Sequence, residues 1–103
     1  MGWQQQVALR IGRGESAALG QLYDRLAERI YRIAVVMTSS IAVAEQITEA
    51  VFVEAWHRPE VLLRQQHQLE NHLIHEACQK CASWRAAHSA DHPRRVPTSY
   101  VDS

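Results

Sequence analysis

At 103 residues the chain is one small domain, long enough for a three- or four-helix core and too short for two. Eleven Lys and Arg balance eleven Asp and Glu, which argues against a strongly cationic nucleic-acid binder, because phosphate neutralisation supplies most sequence-independent affinity. No apolar run reaches the ~18 residues of a membrane span and the N-terminal stretch lacks a signal peptide's hydrophobic block, so the expected location is cytoplasmic.

The first predicted element is a short helix over residues 3–11, WQQQVALRI, with Trp3, Val7 and Ile11 toward a core. Gly12 and Gly14 end it. Glu15 or Ser16 then opens a second helix, in which Leu19, Leu22, Tyr23, Leu26, Ile30, Ile33, Ala34 and Met37 make an apolar stripe through about six turns. Tyr23, Tyr31 and Arg32 border that stripe as core edge. Thr38, Ser39 and Ser40 make a turn into the third helix, within the stretch SIAVAEQITEAVFVEAWHR from Ser40 to Arg58. Its apolar residues Ala44, Ile47, Val51, Phe52, Ala55 and Trp56 have the spacing of one buried helical face. Ser40 is placed to cap its first turn, and Pro59 follows its end. The opposite face carries Glu45, Gln46, Glu49 and Glu54, a mostly acidic surface that serves either as a solvated face or as a contact.

The segment HRPEVLLRQQHQ reads as a connection with some packing of its own. Pro59 and Glu60 start a single short turn in it, with Val61 and Leu62 beneath. A final helix from Leu69 to about His88 places Leu69, Leu73, Ala77, Cys81 and Trp84 on one stripe, with Ile74 and Cys78 beside it. From Ser89 onward, SADHPRRVPTSYVDS has two prolines and no periodicity. The expected organisation is a helical domain over 1–88 and a flexible C-terminal tail or linker start over 89–103. The fold class is all-α, a compact bundle of three to four helices.

Two cysteines three positions apart, Cys78 and Cys81, do not make a secreted disulfide framework. His72, His75, Cys78 and Cys81 recur every third residue, and His with Cys are the ligand types of tetrahedral zinc. On one helix, however, each step of three rotates by about 60°, so the four cannot converge on one ion. Any neighbouring pair needs another element or chain to complete a metal site. The Cys pair also sits mid-helix, away from the N-terminal position that activates a redox thiolate, and burial is the simpler reading. His57, His67, His88 and His92 read as surface residues. A Gly-rich phosphate loop, a nucleophile with a placed base and paired carboxylates in a pocket are all missing, so neither enzyme chemistry nor a cofactor is expected. Glu45 and Glu49 are an i, i+4 pair of like charges, an ordinary surface cost.

The order and spacing of GESAALGQLYDRLAERIYRIAVVMTSS, AEQITEAVFVEAW and LENHLIHEACQK resembles region 2 of the extracytoplasmic-function sigma factors. Gly14, Glu15, Leu22, Tyr23, Asp24, Tyr31, Arg32, Ala34 and Thr38 stand in that family's positions. So do Ala44, Glu45, Thr48, Val51, Phe52, Ala55 and Trp56. The resemblance covers roughly residues 8–88 and is most specific up to Trp56.

That resemblance implies a sigma-factor region-2-like bundle with two working surfaces. One docks on the clamp helices of the largest subunit of core RNA polymerase, through Glu45, Gln46, Glu49, Phe52 and Trp56. The other holds the opened minus-ten element of promoter DNA by stacking and cationic contacts, for which Lys80, Arg85, Arg94 and Arg95 are the candidates here. An anti-sigma factor is a further implied partner. A homodimer is left open, because a region 2 without its partner exposes apolar surface that a second copy can cover. The chain departs from the pattern in two places. The family's Asp, Gln and Glu of the docking helix are Gln46, Glu49 and Ala50 here. In the last helix, Trp-Leu, Ala-Arg-Asn and Asp-Leu-Arg are replaced by His72-Leu73, Ala77-Cys78-Gln79 and Ser83-Trp84-Arg85. A sigma-like mimic that binds polymerase or an anti-sigma factor without reading DNA is therefore the alternative, and a metal or redox sensor on the same fold a second.

Overall fold

Five helices follow one another in the computed structural model, which describes residues 2–89: α1 (Trp3–Gly12), α2 (Ser16–Thr38), α3 (Ile41–His57), α4 (Pro59–Arg64) and α5 (Leu69–Ser89). Among the described residues there is no strand, and no helix is long and apolar enough to cross a membrane. All but the first residue of the predicted tail, Arg94 and Arg95 included, lies outside them.

In α1, Val7, Ala8 and Ile11 are buried, and Trp3 packs at the core's edge beneath the guanidinium of Arg25, 4.3 Å from its ring. The chain leaves α1 through Gly14, whose φ of +82° is the left-handed conformation that glycine adopts without steric cost. The Glu15 N–H then donates to the Arg10 carbonyl at 3.0 Å, and the Arg10 side chain bridges to Glu15 and to Gln21 of α2.

α2 buries Ala18, Leu22, Leu26, Ile30, Ala34 and Thr38, every fourth residue. On a 3.6-residue helix a step of four advances by about 40°, so this line winds around α2 and meets different neighbours along its length. Ala18, Leu22, Leu26 and Ile30 share one core with residues of α1, α4 and α5 and with Val51, Phe52 and Ala55 of α3. Ala34 joins a second, smaller core with Ala44 and Ile47 of α3 and Cys81 of α5. The predicted stripe was broader than this line: Leu19, Ile33 and Met37 are half-buried, and Tyr23 is 48% exposed.

The turn into α3 is built from hydroxyls. Thr38 Oγ1 donates to the Ala34 carbonyl at 2.7 Å, Ser39 takes a left-handed φ of 56°, and Ser40 Oγ accepts the Val43 N–H at 3.1 Å. The predicted cap is present. The apolar face of α3 is buried as expected, except that Trp56 is only half-buried, and Thr48 joins it with its hydroxyl donating to the Ala44 carbonyl.

The connector corrects the expected three to four helices to five. Pro59 at its first position is preorganised for a helix, and Leu62 and Leu63 give it something to bury. Leu62 is 1% exposed, and Leu63 reaches Gly12 so closely that a Cβ there would lie 3.3 Å from its Cδ1. Six residues do not hold a helix alone, so α4 exists by docking on α1. In α5, Leu69, Leu73, Ala77 and Cys81 form a second buried line of every fourth residue. Its first turn is tied down by Gln4, whose Oε1 accepts the Glu70 N–H at 2.8 Å, and by the ion pair of Arg29 with Glu70.

Truncating Leu62 to Ala is expected to cost about 2–5 kcal/mol in urea unfolding, whereas Glu60→Ala, on the exposed side of the same helix, stays within about 0.5 kcal/mol. Equal effects of the two would mean that α4 is not held by its buried side chain.

Candidate functional site

The amphipathic pattern of α3 turns Glu45, Gln46 and Glu49 outward, and all three are exposed. The aromatic members of the predicted docking set point the other way. Phe52 is only 4% exposed, its ring edge-to-face with Tyr23 of α2 at 5.0 Å and 61°, and Trp56 packs on the core. These two rings therefore fix α3 against its neighbours, while the carboxylates and the amide form the surface.

Between α2 and α3 lies a groove. Tyr23, Ala27, Glu28 and Tyr31 form one wall, and Glu45, Thr48 and Glu49 the other. Among the described residues Glu45 and Glu49 have no ion-pair partner, while Glu28 is paired at 2.5 Å with the exposed Arg32 on its own helix. The groove thus combines negative charge with two phenol rings over an alanine, a surface suited to the aliphatic stems and cationic heads of Lys or Arg on a partner helix. Tyr23, Glu28 and Tyr31 were not candidates from the sequence. The tyrosines, eight residues apart, read in the sequence as core edge and as matches to the family pattern, and not as groove lining.

The basic candidates do not gather. Lys80 donates to Glu54 of α3 at 2.7 Å, and its side chain is 24% exposed. Arg85 is exposed in the last turns of α5, and Arg94 and Arg95 fall outside the described residues. Near Lys80, the side chains of Glu54, Arg58, His72 and Glu76 rim a small depression between α3, α4 and α5. Its mixed charge gives no cationic track.

The His and Cys series is spread around α5. His75 is exposed, His72 and Cys78 are half-buried, and Cys81 is fully buried between Ala34, Ala44 and Ile47. Among the described residues, no three His, Cys, Asp or Glu side chains come together as metal ligands. Burial, and secondarily the neighbouring Cys78, pushes the Cys81 thiol above its ordinary value, so it is a core residue and a poor nucleophile.

Comparison of the chain with protein-family models, curated proteins and solved structures finds no match.

Because the thiol of Cys81 ionises less readily folded than unfolded, its contribution to stability is complete below about pH 8.5 and shrinks as pH rises beyond the unfolded thiol's value. Thermal melts between neutral pH and pH 10 should show Cys81→Ala losing part of the wild-type decline. A thiol reagent should modify Cys78 well before Cys81 in the folded chain.

Proposed function

We propose that this chain acts as an extracytoplasmic-function-type sigma region 2, joining core RNA polymerase through the α2–α3 groove and contributing to minus-ten promoter recognition and opening in transcription initiation. The observation that carries the reading is the outward face of Glu45, Gln46 and Glu49 on a helix whose matched residues Ala44, Val51, Phe52 and Ala55 are buried. The same motif therefore supplies a rigid back and a charged front. A clamp helix laid along the groove would place cationic side chains on Glu45 and Glu49 and apolar stems on Tyr23, Ala27 and Tyr31, with the acidic field steering the encounter.

A second reading is favoured by one contact. Lys80, a DNA candidate, is held by Glu54, as suits a sigma-like mimic that keeps protein docking, to polymerase or to an anti-sigma factor, without promoter recognition. Both readings use the groove and differ in DNA binding.

The double substitution Glu45→Lys with Glu49→Lys should leave the helical circular dichroism unchanged and weaken binding to core RNA polymerase by about tenfold or more, with a strong salt dependence. Undiminished polymerase binding by this variant would sink the docking assignment.

A further inference from the structure

The small depression between α3, α4 and α5 is apolar at its floor and charged at its rim. Val51, Leu62 and Leu73, one from each helix, line the floor, and all three are buried. On the rim, Glu54 and Arg58 stand one turn apart where α3 ends, and His72 and Glu76 one turn apart on α5. The charges are not all used. Glu54 is neutralised by Lys80 at 2.7 Å, whereas Arg58 reaches only Glu60, at 4.0 Å, and Glu76 has no ion pair among the described residues. One guanidinium and one carboxylate are thus left for a ligand, with no net charge between them.

A further polar group comes from the backbone. In a continuing α3 the Ala55 carbonyl would accept the N–H of residue 59, but that residue is Pro and has none. Ala55 lines the same depression, so an acceptor deprived of its helical donor lies where α3 gives way to α4. Size narrows the occupant. The cavity measures about 80 Å³, room for roughly five to eight atoms of water size at about 10–15 Å³ each. A nucleotide or a peptide segment is too large for that space, while a small molecule carrying both charges and a short apolar group suits it.

We propose that this depression binds a small aliphatic α-amino acid as its zwitterion. The ammonium meets the Glu76 carboxylate and the Ala55 carbonyl, the carboxylate meets the Arg58 guanidinium, and the side chain lies on Val51, Leu62 and Leu73. Polar groups that fix orientation over an apolar floor are the general make-up of small-molecule sites. The ligand touches three helices, and α4, which is held only by docking, is the one it secures. The site goes beyond the sigma-type reading and needs neither polymerase nor DNA. Its residues all belong to the described part of the chain, in α3, α4, their junction and the first half of α5.

The test titrates the full chain, isotopically labelled, with L-valine and follows the backbone amide resonances. Those of Val61, Leu62 and Leu73 should shift saturably, with a Kd in the millimolar range that so small a ligand permits. N-acetylvaline, without the ammonium, and valinamide, without the carboxylate, should each bind about tenfold more weakly. Glycine, which leaves the floor uncovered, should lose about tenfold or more. Glu76→Gln and Arg58→Gln should each weaken valine binding by about tenfold, and circular dichroism checks that both variants keep the fold. The analogue series needs no variant at all. A titration without saturable shifts overturns the site, as does equal binding of glycine, N-acetylvaline or valinamide. Either result leaves the polymerase-docking assignment untouched, because that assignment uses the groove between α2 and α3.

Discussion

The winding line of every-fourth-residue burial on α2 is the constraint on which the rest of the molecule depends. A straight stripe would have presented one face to one partner. Because Ala18, Leu22, Leu26, Ile30, Ala34 and Thr38 advance around the helix axis, α2 takes part in both cores. Each fully buried Leu or Ile on that line contributes about 1.5–3 kcal/mol of transfer free energy. The alanines near its two ends permit the close approach that larger side chains would block. At its end, Thr38 returns its hydroxyl to the Ala34 carbonyl and leads into the Ser40 cap, so the packing line and the turn that starts α3 are continuous.

The groove follows from that packing. With Leu26 and Ile30 turned into the core, Tyr23, Ala27 and Tyr31 border α3, and the edge-to-face contact of Tyr23 with Phe52 sets how closely the two helices approach there. The exposed charges of α3 then have an aromatic wall opposite them. A rigid groove of this kind carries little ordering cost on binding, since its rings are already in place.

Overall neutrality conceals a division of charge. Among the described residues Glu45 and Glu49 stand at the groove without ion-pair partners, Lys80 is neutralised by Glu54, and Arg85 is exposed near the end of α5. Ion pairs such as that of Lys80 and Glu54 add little to stability when exposed. Their effect here is on which charges are left unpaired among the described residues.

Residue periodicity and cap chemistry were enough to read four of the helices, the turn at Ser39 and the burial of Leu22, Leu26, Val51 and Leu73, because these depend on neighbours within a few positions of the same chain segment. The outward set Glu45, Gln46 and Glu49 was legible for the same reason. Other features depend on contacts between segments far apart in sequence. α4 is a helix, and not the single turn read around Pro59, because it docks on α1, where Leu62 is buried and Leu63 meets Gly12. The pairing of Lys80 with Glu54 and the joining of Tyr23, Glu28 and Tyr31 to α3 likewise needed the helices in place. Helical spacing tells which side chains share a face, but the direction in which that face points is set by the packing of one helix on another.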